Sequence, residues 1–242
     1  MIQVFEPLPI EKLKLLVFDL DGTLVDSAQD LCNSVNAALA HVGEAALTDD
    51  VIASYVGNGA PLLVRRALAQ SQGVLIEQVA EALQSAAYGF FLDYYREHQL
   101  DFTYAYKGVL EALAALKVLH DTGTPRSMAV LTNKPVRPAR SICAGLGLAD
   151  YFVQIYGGDS FKTKKPDPEG LRALMNELGV RPEETVMVGD STVDVQLARN
   201  AGVWSVGCQF GFGPQNLMAT PPDVLVDSPI DWTAALSPEK ID

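Results

Sequence analysis

Asp19 and Asp21 stand two residues apart in Phe18-Asp19-Leu20-Asp21-Gly22-Thr23-Leu24-Val25-Asp26-Ser27, directly after the apolar run Leu13 to Phe18. A strand sends residues i and i+2 to the same side, so both carboxylates reach one space just beyond the strand. Two like charges there repel and raise each other's pKa unless a cation separates them. A hard divalent cation such as Mg2+, which prefers carboxylate and carbonyl oxygens, resolves that conflict. The chemistry on offer is a nucleophile beside a proton-transfer partner. The competing reading makes Asp21-Gly22 a hairpin turn and Asp19 a surface acid. A two-residue hairpin needs a second alternating strand at once, whereas Leu31, Val35, Leu39 and Val42 recur at helical spacing. The strand therefore feeds a helix.

Three further groups follow strand-like runs: Thr132-Asn133, Lys165, and Gly189-Asp190-Ser191 with Asp194. Each has an ordinary explanation taken singly. Thr132-Asn133 suits a helix cap, Ser191 with Asp194 reads as a capping box with Asp in place of Glu, and a lone lysine is usually solvated. Their joint placement at strand ends singles them out.

The elements that must position these residues fall into two patterns. From Gln29 to Val42, Asp49 to Val56, Pro61 to Gln70 and Glu77 to His98 the spacing predicts four successive helices, enough for a small bundle. From Tyr104 onward helices and strands alternate. Helices are expected over 109–119, 135–146, 168–178 and 193–201, with strands over 127–132, 152–157, 185–189, 204–207 and 223–226. Asp167, Pro168 and Gly179 supply start and stop signals for one of these helices. Such alternation implies a parallel sheet covered on both faces, with ligands beyond the carboxyl ends of its strands. The expected organisation is a Rossmann-like α/β core over 1–27 and 104–242, with an all-helical cap inserted over 28–103. Residues 1–12 read as a mobile lead-in.

Composition narrows the functional classes. The chain has 242 residues, is 48% hydrophobic, and carries 18 basic against 30 acidic side chains for a net charge of -12. That charge repels nucleic acid and anionic membranes. No apolar run approaches the roughly 18 residues of a membrane span. Cys32, Cys143 and Cys208 are scattered and odd in number, which fits buried thiols in a reducing cytoplasm. Oligomeric state has no signature in the sequence.

The chain resembles the haloacid dehalogenase superfamily, specifically its phosphatases with a helical cap after the first motif. Asp19-Leu20-Asp21-Gly22-Thr23 matches the first family motif, Thr132-Asn133 the second, Lys165-Pro166 the third, and Gly189-Asp190-Ser191 with Asp194 the fourth. Thr132-Asn133-Lys134-Pro135, Gly157-Gly158-Asp159 and Val56-Gly57-Asn58-Gly59-Ala60 look most like bacterial phosphoglycolate phosphatases.

The resemblance implies Mg2+-dependent hydrolysis of a small phosphate monoester, 2-phosphoglycolate before sugar phosphates. In it Asp19 attacks phosphorus to give an aspartyl-phosphate, and Asp21 acts as general acid and then base. Thr132 and Lys165 hold the phosphoryl oxygens, with Asn133 beside them and Asn58 from the cap as a substrate contact. Asp19, the Asp21 backbone carbonyl and Asp190 bind Mg2+. Ser191 and Asp194 stand behind them, Asp194 as a water-mediated ligand, a partner for Lys165 or a helix cap. A phosphomutase of the same fold is the nearest alternative. A receiver-type module, which also phosphorylates an Asp near a Lys, is about half this length and lacks the inserted helices.

Overall fold

Leu15, Leu16, Val17 and Phe18 are all fully buried, as a strand covered by helices on both faces must be. They form one strand of a computed structural model that describes residues 1–122 and 126–237. The strands are β1 (Ile2–Val4), β2 (Leu15–Phe18), β3 (Val25–Asp26), β4 (Tyr104–Ala105), β5 (Ser127–Leu131), β6 (Gln154–Tyr156), β7 (Thr185–Gly189), β8 (Trp204–Cys208) and β9 (Val224–Val226). The helices are α1 (Ala28–His41), α2 (Asp49–Ala53), α3 (Ala60–Gln72), α4 (Glu81–His98), α5 (Val109–Thr122), α6 (Val136–Gly145), α7 (Glu169–Leu178), α8 (Thr192–Ala201) and α9 (Asp231–Leu236).

The chain divides into two compact units, Met1–Val25 with Ala105–Asp242, and Asp26–Tyr104. In the first, the strands run in the order β1-β9-β8-β7-β2-β5-β6. All pair in parallel except β1 against β9. Alternation along β2 sets the two layers: Leu15 and Val17 pack with Leu171 and Leu174 of α7 and Leu197 of α8. Leu16 and Phe18 pack with Leu113 of α5, Ile142 of α6 and Trp232 of α9. This is a Rossmann-like α/β sheet. The expected core runs to 242, and residues 123–125 and 238–242 lie outside the described residues.

Two expectations are corrected. Residues 1–12 are no loose lead-in: Ile2, Gln3 and Val4 pair with Val226, Leu225 and Val224, and Ile10–Lys12 form a 3-10 turn. The fourth helix starts at Glu81 rather than Glu77. Ile76–Gln78 is a separate 3-10 turn, closed by the Leu75 N–H donating to Gln78 Oε1 at 2.9 Å, and extended backbone at Val79 and Ala80 parts it from α4.

The second unit has its own core, in which Leu31, Val35 and Leu39 of α1 meet Leu63 and Leu68 of α3 and Phe91 of α4. Asp30, 1% exposed, ties its two ends. Its carboxylate accepts the Phe102 N–H at 3.0 Å, the Thr103 N–H at 2.8 Å and the Thr103 hydroxyl at 2.6 Å.

Candidate active site

Asp19 leaves β2 without leaving the sheet, because its N–H still donates to Val188 O of β7 at 2.9 Å. The chain then turns tightly, with Gly22 at φ 82°, a left-handed value that glycine alone adopts freely. Glycine is needed there twice over, since a Cβ would lie 2.4 Å from Asp190 Oδ2. The parallel registers Phe18↔Val130 and Phe18↔Val188 bring the segments that run on from β2, β5 and β7 to one edge. Asp19 and Asp21, Thr132 and Asn133, and Asp190 are thereby gathered.

Lys165 arrives from the loop before α7 and joins the cluster. Its Nζ lies 2.8 Å from Asp19 Oδ1 and 2.7 Å from Asp194 Oδ1. Asn133 Nδ2 donates to the Lys165 carbonyl at 3.1 Å, which fastens that loop to β5. Asp194 Oδ2 accepts the Ser191 hydroxyl at 2.6 Å and the Ser191 N–H at 3.2 Å, completing a capping box on α8. Asp194 is therefore both helix cap and lysine partner, with both oxygens engaged. Asp19 Oδ1 receives the Leu20 N–H at 2.7 Å as well as Lys165. Its Oδ2 receives no hydrogen bond among the described residues.

Burial makes this cluster electrostatically tense. Asp19, Asp190 and Asp194 present oxygens within 4.8 Å of one another, all from buried side chains. The Asp190 carboxyl is pushed up to about 7 by burial and by the charges of Asp194 and Asp19, against the Phe212 and Gly213 N–H groups. Asp19 is pushed up to about 6 by burial, with Lys165 opposing and Asp194 adding. For Lys165, burial works against the charge, and the Asp19 and Asp194 carboxylates outweigh it to raise its pKa. One ammonium does not neutralise three carboxylates. Hard oxygen donors with charge left uncompensated suit a divalent cation such as Mg2+.

Asp21 points elsewhere. Both its oxygens accept from Lys134 Nζ, at 2.9 and 3.0 Å, so its side chain is no part of the carboxylate cluster. Asn58 belongs to the helical unit, where its Oδ1 accepts from Arg66 Nη1 at 3.0 Å. Arg65 there donates to the carbonyls of Ile76 and Val79.

Several members of the site escaped sequence reasoning. Lys134 sits one residue past Thr132-Asn133 and had no assigned role. Thr23, inside the first motif, donates to Asp190 Oδ1 at 3.1 Å. The N–H groups of Phe212 and Gly213 donate to Asp190 Oδ2 at 2.7 and 3.2 Å. Their only signal is the glycine-rich stretch after β8, whose adjacency to β7 emerges from the sheet order.

The family described as haloacid dehalogenase-like hydrolase matches residues 16–208. A phosphoglycolate phosphatase of Vibrio vulnificus (strain YJ016) is 39% identical over 219 residues, which covers 90% of this chain and 93% of that one. A phosphoglycolate phosphatase of Neisseria meningitidis serogroup A is 40% identical over 235 residues, 96% of this chain and 97% of that one. The crystal structure of a predicted phosphoglycolate phosphatase from Haemophilus somnus 129pt superposes with a TM-score of 0.83 at 31% identity, covering 91% of this chain and 96% of that one. The chain belongs to the haloacid dehalogenase-like hydrolases. It is an enzyme of the phosphoric monoester hydrolase class, which sets the receiver-type alternative aside. Among the described residues no helix is long and apolar enough to cross a membrane.

Proposed function

We propose that the enzyme hydrolyses 2-phosphoglycolate through an aspartyl-phosphate on Asp19. The observation that carries this reading is the Asp19 carboxylate itself: one oxygen is pinned by Lys165 and the Leu20 N–H, the other is unengaged, and the whole group is buried among acids. The names of the relatives at 39% and 40% identity point to the substrate.

In the first half-reaction an Asp19 oxygen attacks phosphorus, the bond from phosphorus to the ester oxygen breaks, and Asp21 gives its proton to the departing alkoxide. In the second, water attacks phosphorus, the bond to Asp19 breaks, and the Asp21 carboxylate takes the water's proton. Inorganic phosphate leaves and Asp19 is restored. Thr132 and Lys165 hold the phosphoryl oxygens, whose spread of charge is the main thing a phosphoryl-transfer site must stabilise. Asn133 supports them through the Lys165 carbonyl.

Asp19, Asp190 and the Asp21 backbone carbonyl would hold Mg2+, whose chemistry here is to neutralise charge on the phosphoryl oxygens. Thr23 and the Phe212 and Gly213 N–H groups orient Asp190 for that task. Asn58 of the helical unit is assigned to substrate choice. The buried, free cysteines suit a reducing compartment, and we place the reaction in the cytoplasm.

The test is phosphate release across small phosphate esters, ranked by kcat/KM. The expected leader is 2-phosphoglycolate. A sugar phosphate ranking first overturns the substrate, and an isomerised product without phosphate release would make the enzyme a mutase.

A further inference from the structure

Lys134 is a buried lysine whose ammonium grips Asp21 by both oxygens, at 2.9 and 3.0 Å. The two side chains are 4% and 14% exposed. A two-oxygen grip restricts rotation of the carboxylate, which a single hydrogen bond does not.

The lysine is itself held by a construction that the sequence shows as two separate motifs. Its N–H donates to Thr132 Oγ1 at 3.2 Å, and its carbonyl accepts the Gly158 N–H at 2.8 Å. A Cβ on Gly157 would lie 2.6 Å from the Lys134 carbonyl oxygen, and one on Gly158 would lie 2.4 Å from that of Asn133. The two glycines thus admit a backbone contact that no other residue allows. Asp159 Oδ1 then accepts the Val136 N–H at 2.7 Å. Thr132-Asn133-Lys134-Pro135 and Gly157-Gly158-Asp159 are one unit, and its outermost atom is the Lys134 ammonium on Asp21.

We propose that Lys134 is the positioning residue for proton transfer: it aims the Asp21 carboxylate, and the Gly157-Gly158 pair fixes the lysine backbone from which that aim is set. The proposal rests on the reading of Asp21 as general acid and base. Geometry is the first requirement of such a group, because transfer needs hydrogen-bond reach of the leaving oxygen. Asp21 lies in a tight turn outside any long element, so its aim depends on what holds its side chain.

The experiment compares an alkyl phosphate with an aryl phosphate, whose good leaving group needs little protonation. In Lys134→Met, kcat/KM for the alkyl ester is expected to fall about tenfold to a hundredfold, part of what a general acid supplies. For the aryl ester the fall in kcat/KM is expected to stay below about threefold. Released aryl alcohol should show a burst, since Asp21 also serves the second half-reaction. Lys134→Arg should recover part of the alkyl activity. The double variant with Asp21→Asn should be no worse than Asp21→Asn alone, because both act on one step.

Equal losses on the two esters in Lys134→Met, or losses that multiply in the double variant, overturn the proposal and put Lys134 on the substrate instead. If Asp21→Asn itself loses both esters equally, the reading of Asp21 fails, and that result is separate. Should Lys134→Met not fold, Gly157→Ala, whose Cβ would lie 2.6 Å from the Lys134 carbonyl oxygen, displaces the lysine backbone while keeping the ammonium. It is expected to show the same ester dependence, and its absence there counts equally against the proposal.

Discussion

Lys165 Nζ lies 2.8 Å from Asp19 Oδ1, with side chains 3% and 11% exposed. A buried ammonium against a buried carboxylate favours the charged form of Asp19 in a place where burial alone favours its neutral form. In the proposed mechanism the same ammonium would also meet the phosphoryl group, so Lys165 would serve both partners of the bond that forms.

Asp19→Asn is expected to lower turnover by about 10^4-fold or more, the scale seen when a covalent nucleophile is removed. The fold should survive, because the amide fills the same volume and Lys165 keeps Asp194 at 2.7 Å. Phosphate release and thermal unfolding, measured side by side, check both halves. Turnover within tenfold of the unmodified enzyme would remove Asp19 from its role.

Proton and metal should compete. Asp190, raised to about 7, and Asp19, raised to about 6, hold protons in the folded metal-free protein at pH values where the unfolded chain has released them. Their contribution to stability is therefore fully present below the ordinary carboxylate pKa and is lost as pH rises through 6 to 7. Bound Mg2+ needs both groups ionised. The rise in melting temperature on adding Mg2+ should be larger at pH 8 than at pH 6, and half-saturation should need more Mg2+ at the lower pH. Equal half-saturation at the two pH values would speak against these ligands.

Two glycine substitutions should act in opposite directions. A Cβ on Gly211 would lie 2.2 Å from Asp190 Cβ and 2.3 Å from the Gly22 carbonyl oxygen. Gly211→Ala must therefore shift the loop whose N–H groups hold Asp190, at a cost of about 1–3 kcal/mol and a weaker hold on Mg2+. Gly89, within α4, has nothing within 4 Å of its would-be Cβ. Gly89→Ala should stabilise by about 0.5–1 kcal/mol. Denaturant unfolding with and without Mg2+ distinguishes the pair, since only Gly211→Ala should reduce the gain from metal.

Asp30→Ala should destabilise the helical unit by about 3 kcal/mol, because the Phe102 and Thr103 N–H groups and the Thr103 hydroxyl lose their acceptor. Hydrogen exchange should localise the loss to residues near 30 and 103. Unchanged exchange there would show that water replaces the carboxylate without penalty.

The central strands were legible because Leu15 to Phe18, Ser127 to Leu131 and Thr185 to Gly189 are apolar runs that end at acids, Thr-Asn or glycine. Helix α7 was legible from its ends, where Asp167 Oδ1 accepts the Glu169 N–H at 3.0 Å and Gly179 takes the left-handed cap. Strand β1 was not. Its three residues are too few to show alternation, and its identity comes from pairing with Val224–Val226 at the far end of the chain. Helix α9, six residues over Trp232 and Leu236, is likewise short for a periodic signal. The grip of Lys134 on Asp21 was hidden for a different reason. It depends on the register Phe18↔Val130, which makes segments over a hundred residues apart emerge side by side. Local pattern carries no such register.

The strand order also fixes when the enzyme can come into being. Strand β2 is made early, yet its neighbours are β5 and β7, which the ribosome delivers only after the whole helical unit has been translated. That unit closes its core with residues contiguous in sequence, Leu31 to Tyr95, and has what it needs to fold while the rest is still being made. The strand that leads into Asp19 can pair on one side once Ser127–Leu131 is made, but its other side must wait until Thr185–Gly189 emerges and Asp190 with it. Synthesis therefore includes a long interval in which the nascent chain carries Asp19 without the Asp190 and Asp194 carboxylates that surround it in the finished fold, and a chain halted before residue 190 lacks that acidic cluster.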